Sequence, residues 1–155
     1  EIGVRLVGSE MCIRDRCTFV QKLHIHMRLN HVALWADDIE SVRLFYMKYF
    51  GALCNDRYVN ESKKFTSYFL SFDEGTACLE LMNRPDILDM PFNRGQVKGL
   101  AHLSISVGSR EAVDELTRRL QTDGYTVIGQ PRLTGDGFYE STILDPEGNN
   151  VEITE

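Results

Sequence analysis

Positive charge is in short supply in this chain. Seventeen Lys and Arg stand against 23 Asp and Glu, a net charge of −6, which is the wrong sign for a protein that grips a phosphate backbone. Long apolar runs are also missing: no stretch approaches the roughly 20 residues that a helix needs to span a bilayer. Cysteine is sparse and unpatterned. Cys12, Cys17, Cys54 and Cys78 show no Cys-x-x-Cys spacing and do not read as a disulfide framework, so a reduced, cytoplasmic protein is expected. These absences leave a small molecule as the expected partner, with neither nucleic acid nor membrane. What is present is ordinary for a globular chain: 155 residues, 43% hydrophobic and 26% charged, long enough for one domain with a real core.

Residues 1–26 stand apart from the rest. They share no hydrophobic period with anything downstream. Residues 7–16, Val-Gly-Ser-Glu-Met-Cys-Ile-Arg-Asp-Arg, resemble the peptide obtained by translating a sequencing-adaptor read. The expectation is a non-native or disordered leader, with the fold proper covering residues 27–155. His24 and His26 lie in that leader and receive no role.

From Met27 onward the chain alternates. Residues 28–36 read as a strand with Val32 and Leu34 on one face and His31, Ala33 and Trp35 on the other. Asp37 with Glu40 three residues on reads as a capping box, and Ile39, Val42, Phe45, Tyr46 and Tyr49 recur at helical spacing until Gly51 stops them. That aromatic stripe is expected to be core. Strand-like runs follow at 52–58, 66–72 and 76–82, the last two joined by Asp73-Glu74-Gly75. Residues 83–98 carry Pro85, Pro91 and Gly95 without a period, and read as a linker. The order then starts again, with a strand at 99–107 and a helix capped by Ser109 that carries Val113, Leu116 and Leu120. Strands at 125–130, 138–144 and 150–154 complete it. In the strand at 99–107, Leu103, Ile105 and Val107 face one way, and His102, Ser104 and Ser106 the other.

The two halves, 28–82 and 99–155, are in close register. His31 precedes His102 by 71 residues, and Glu80 precedes Glu152 by 72. The closing strands match as Leu79-Glu80-Leu81 and Val151-Glu152-Ile153. A repeat of this length is too long for a solenoid unit and implies two modules about a pseudo-twofold axis. In each half the histidine and the glutamate fall on the face turned away from the helix. A lone strand histidine is usually structural, and a lone strand glutamate usually solvated. Their recurrence at matching positions is what carries the reading. If the halves curl together, His31, Glu80, His102 and Glu152 form an N2O2 set suited to one divalent transition-metal ion such as Zn, Ni, Co, Fe or Mn. Cys78, on the face of Glu80, is an additional cavity candidate, with an inert buried thiol the simpler reading. Arg132, Lys63 and Lys64 are cations available to an anionic substrate, against the plainer reading of solvated surface charge. Residues 135–139 read as a flap or a simple hairpin turn.

At these residues the chain resembles the glyoxalase I, bleomycin-resistance and extradiol-dioxygenase superfamily, the vicinal oxygen chelate proteins. The resemblance rests on His31 in Asn-His-Val-Ala-Leu, Glu80 in Leu-Glu-Leu-Met, His102 in Ala-His-Leu-Ser-Ile-Ser-Val, and Glu152 in Asp-Pro-Glu-Gly-Asn-Asn-Val-Glu-Ile. It implies an α+β fold of two tandem βαβββ modules forming an open eight-stranded barrel around a metal. It also implies a homodimer, with the metal set drawn from one chain or from two. The implied activity is that of a glyoxalase I-like lyase acting on the hemithioacetal of a 2-oxoaldehyde, with Glu152 as the main base and Glu80 serving the opposite face. Glutathione-using glyoxalases place an Arg four residues after the first ligand and an Asn four after the second. Here Trp35 and Arg84 hold those positions, so the resemblance does not extend to the thiol carrier. A dioxygenase, an epimerase or a thiol transferase of the same superfamily, and a drug-sequestering binding protein, are the alternatives.

Overall fold

The computed structural model describes residues 28–74, 76–89 and 92–155. The leader at 1–26, Gly75 of the expected turn and Pro91 of the linker lie outside these. The first half runs β1 (His31–Trp35), α1 (Ile39–Phe50), β2 (Leu53–Cys54), β3 (Tyr58–Asn60), β4 (Phe65–Ser71) and β5 (Cys78–Asn83). The second runs β6 (Leu103–Ser106), α2 (Arg110–Thr122), β7 (Val127–Leu133), β8 (Tyr139–Leu144) and β9 (Asn150–Thr154). One sheet has the order β1-β5-β4-β2, with β3 also paired to β4, and the other the order β6-β9-β8-β7. The result is a mixed α+β fold of two open sheets with one long helix each, and no closed barrel forms among the described residues of one chain.

Among the described residues nine strands appear where eight were expected, and the cause is local. The run at 52–58 breaks at Asn55, whose side-chain Oδ1 accepts the Phe69 N–H at 2.7 Å while its own N–H donates to the Phe69 carbonyl at 3.2 Å. A side chain that takes over a ladder bond ends regular pairing there, so β2 and β3 are separate pieces. The first helix starts one residue later than the capping-box pattern predicts. Asp38 is its N-cap, accepting from the N–H groups of Glu40 and Ser41 at 3.1 and 3.0 Å. Glu40 is turned instead to the Tyr68 hydroxyl and to Arg43.

The expected aromatic stripe of α1 is core: Ile39, Val42, Phe45, Tyr46 and Tyr49 are buried, as are Val113 and Leu120 of α2. One apolar cluster takes in both halves. Phe45 and Tyr49 lie 4.8 and 5.3 Å from Tyr125, ring centre to ring centre, and the buried Tyr46 hydroxyl donates to Asp145 at 3.2 Å. Asp145 also accepts the N–H groups of Glu147 and Asn149, so this buried carboxylate is fully engaged.

The second half also supplies a cap to the first helix. Glu147 Oε1 accepts the N–H groups of Asp37 and Asp38 at 2.9 and 3.0 Å, and its other oxygen faces Arg94 at 3.7 Å. A carboxylate at a helix N-terminus satisfies orphan donors and complements the positive end of the helix. Glu147→Ala is expected to destabilise the protein by about 1–2 kcal/mol, read as a lower urea midpoint at unchanged slope.

Candidate metal centre

Each sheet pairs its first and last strands in parallel, and the two registers are the same. Ala33 lies opposite Glu80 in the first sheet, and Ser104 opposite Glu152 in the second. His31 and His102 each stand two residues earlier, so each imidazole shares a face with its glutamate, displaced by one same-face step. The contacts that follow are His31 Nε2 to Glu80 Oε2 at 3.7 Å and His102 Nε2 to Glu152 Oε2 at 3.2 Å. Both histidines are exposed and both glutamates are largely covered. The His31 ring is held from behind by Asn30, whose Oδ1 lies 2.8 Å from Nδ1. An Nδ1–H donated to Asn30 would leave Nε2 as the nitrogen available to a ligand.

The four predicted residues are therefore brought together two and two. His31 meets Glu80, and His102 meets Glu152. Among the described residues no cluster of three or more His, Cys, Asp or Glu side chains is arranged to hold one ion. Cys78 is a free thiol opposite His31 in the register, and it lines an apolar groove with Val32, Leu103 and Ile105.

The surroundings of the two pairs differ. The first is aromatic: Phe69 lies opposite Glu80 in the register and meets His31 edge-on at 5.5 Å. Trp35 sits one same-face step beyond, edge-on to Phe65 at 6.2 Å, with the Arg84 guanidinium 5.5 Å above its ring. Asn83, the neighbour of Arg84, is committed to the backbone and donates to the Ala36 and Asp37 carbonyls. The second pair is polar. His102 and Glu152 share a cleft of about 400 Å3 with Ile128, Gly129, Arg132, Thr142 and Asn150. Lys63 and Lys64 sit in the turn before β4 and do not line it. Residues 135–139 form a hairpin turn closed by Thr134, which bonds Gly137 and Phe138.

A family model of the Glyoxalase/Bleomycin resistance protein/Dioxygenase superfamily matches residues 28–153. The chain belongs to this superfamily. Its sequence is 27% identical over 128 residues to the uncharacterized protein YqjT of Bacillus subtilis (strain 168), covering 81% of this chain and 96% of that one. In fold it is similar to a glyoxylase/bleomycin resistance protein/dioxygenase domain from Frankia sp. EAN1pec, with a TM-score of 0.69 at 19% identity over 83% of this chain and 96% of that chain. It is also similar to the trypanothione-dependent glyoxalase I of Leishmania major, with a TM-score of 0.67 at 19% identity over 83% and 86% of the two chains.

Superfamily members of the glyoxalase I kind work with a divalent ion, and each pair here fits half of such a site. Two donors bound to one ion at about 2.0–2.2 Å stand roughly 3–3.5 Å apart; the His102–Glu152 pair meets this at 3.2 Å, and the His31–Glu80 pair is slightly wider at 3.7 Å. An imidazole nitrogen and a carboxylate oxygen suit a first-row divalent metal. Two donors do not complete a coordination shell, and among the described residues no further His, Cys, Asp or Glu joins either pair.

Two features of the site escaped sequence reasoning. Asn30 precedes His31 directly and gives no sign from sequence of its grip on the ring. The aromatic wall draws Phe65 and Phe69 from β4, and only the β4–β5 register puts Phe69 beside Glu80. Electrostatically, burial pushes the Glu152 carboxyl up; His102 opposes this, the Glu140 carboxylate adds to it and Arg132 offsets it. A carboxyl raised by folding costs stability once it is ionised, and that cost disappears as pH falls below the unfolded value. Glu152→Gln is thus expected to raise the melting temperature of chelator-treated protein at pH 7. The gain should fade toward about pH 4, near the ordinary glutamate value, as read by thermal unfolding at both pH values.

Proposed function

We propose that this protein is a metal-dependent lyase or isomerase of the glyoxalase I type, acting on the hemithioacetal of a 2-oxoaldehyde and a thiol. The observation that carries the reading is the equivalent placement of two His–Glu pairs at the same register position of two duplicated sheets. His31, Glu80, His102 and Glu152 are the proposed ligands of one divalent ion, Ni, Co or Zn, with Fe or Mn also compatible. Because each half holds only two donors, the complete set joins His31 and Glu80 of one protomer to the second-half pair of another copy. A homodimer then carries two such sites. The resemblance in fold to a glyoxalase I supports this arrangement, as does superfamily membership.

When bound, the ion supplies Lewis acidity, drawing charge from the two adjacent oxygens of the substrate and lowering the barrier to C–H ionisation. The proton is moved by the chain's own carboxylates. Glu152 takes it from C1 of the hemithioacetal and returns it to C2, converting the enediolate to a thioester. Glu80 would meet the opposite face of the substrate and serve the other enantiomer. The aromatic side chains beside His31 exclude water from that flank, which limits loss of the enediolate to solvent.

The test is a matrix of metals and thiols. Protein reconstituted with nickel, cobalt, zinc or iron is given methylglyoxal with glutathione, bacillithiol or another thiol, and thioester formation is followed. Turnover with at least one pairing is expected. Glu152→Gln is expected to abolish it, by about 100-fold or more, while only weakening metal binding. Failure to bind any of these ions stoichiometrically would favour the sequestering protein instead.

A further inference from the structure

β7 carries two register shifts against β8, one between Val127 and Gly129 and one between Gly129 and Arg132. Gly129 lies opposite Thr142, and Arg132 opposite Glu140, so three steps along β7 match two along β8. In an unbroken strand, residues three apart face opposite ways. The extra residue of the bulge reverses that parity and brings Arg132 to the face that Thr142 shares with Glu152, its partner in β9. Pro131 sits inside the bulge on an edge strand, where its missing N–H costs no ladder bond.

Gly129 leaves the floor beneath the guanidinium bare. A Cβ there would stand 3.3 Å from Arg132 Nη1 and 3.2 Å from Thr142 Oγ1. The guanidinium therefore lies along the sheet, in the cleft that also contains His102 and Glu152. Among the described residues it makes one hydrogen bond, a long one from Nη2 to Glu140 Oε1 at 3.3 Å. An arginine has five N–H donors in a fixed fork, so on this half-exposed side chain, which lines the cleft, most of them have no protein partner among the described residues. A plain cross-strand ion pair needs neither the parity reversal nor the bare glycine.

We propose that Arg132 is the specificity-determining residue of the cleft and anchors a substrate carboxylate, so that the favoured substrate carries an anionic end a few bonds from the reacting carbon. The proposal rests on the lyase reading for what reacts, but not for where the anion binds. A carboxylate fits better than a phosphate dianion, because Glu140 and Glu152 already bring two negative groups to this part of the sheet and disfavour two charges on the one anchored group, whereas succinate carries its second charge on a separate carboxylate. The fork of the guanidinium matches a carboxylate in paired geometry.

Binding is tested on the labelled full chain at constant ionic strength, with succinate as the probe and succinamide as its neutral counterpart. Succinate is expected to shift the amide signals of Gly129 and Thr142 saturably, and succinamide to leave them in place. Arg132→Gln is expected to weaken succinate binding about tenfold or more, and Arg118→Gln, on the exposed side of α2, to leave it unchanged. Glu140→Gln frees the guanidinium and is expected to preserve or tighten binding. The proposal is overturned if succinate perturbs neither amide, if Arg132→Gln binds it as well as the parent, or if Glu140→Gln abolishes binding as fully as Arg132→Gln. A kinetic arm compares methylglyoxal hemithioacetals of 3-mercaptopropionate and of its methyl ester. Arg132→Gln should lower kcat/KM about tenfold for the anionic thiol and change the neutral one less than about twofold. Intact succinate binding with no turnover of either hemithioacetal would reject the lyase and leave the arginine anchor standing.

Discussion

The parallel pairing of the first and last strands in each half is the constraint on which the site depends. Side chains alternate along a strand, so once Ala33 faces Glu80 and Ser104 faces Glu152, each histidine falls beside its glutamate without further adjustment. A slip of one residue would send every one of these side chains to the opposite face. The slip is prevented from that opposite face, where Leu34, Leu79 and Leu81 in the first half and Val151 and Ile153 in the second are buried. Parallel neighbours also require a crossover, and α1 and α2 provide it while covering the apolar face. The polar face of each sheet is thereby left to the imidazole and the carboxylate.

This division explains what could be read in the sequence and what could not. Alternation and helical spacing are local, and they located α1, α2, β4, β5, β8 and β9 to within a residue or two. Repetition made His31, Glu80, His102 and Glu152 stand out, because the same types recurred on the same face 71 or 72 residues apart. Asn55 defeated the local pattern, since its side chain competes with the strand ladder and no periodicity records that. The helix start was displaced by Glu147, a residue more than a hundred positions away that holds the Asp37 and Asp38 N–H groups. The parity of Arg132 depends on a bulge, which appears only when both strands are in view.

How the halves sit within one chain follows from what joins them. The ring contacts and the hydrogen bond from α1 to the second half run through Phe45, Tyr46 and Tyr49, reaching Tyr125 and Asp145. These are helix-side residues, and they form one core with the backs of both sheets. The His–Glu faces take no part in that core. Burying apolar side chains on one side of each sheet thus fixes the fold, and leaves the polar sides to be completed by something other than the chain's own core.

The duplication has not produced equal halves. On the face of Glu80, Phe69 lies opposite it in the register, with Trp35 and Phe65 further along the same face, and their rings offer low dielectric and few hydrogen bonds. Around Glu152 they are His102, Thr142, Arg132 and Asn150. Two carboxylates at equivalent positions therefore meet different surroundings, which is how a fold with one kind of acid assigns it two kinds of work. If a copy's aromatic half closes against another copy's polar half, the reacting carbon would lie between a wall that excludes water and a floor that carries fixed charge. The dry wall strengthens every electrostatic interaction across the gap. The polar side would then offer fixed charge and the aromatic side exclusion of water, a difference that two identical halves would lack.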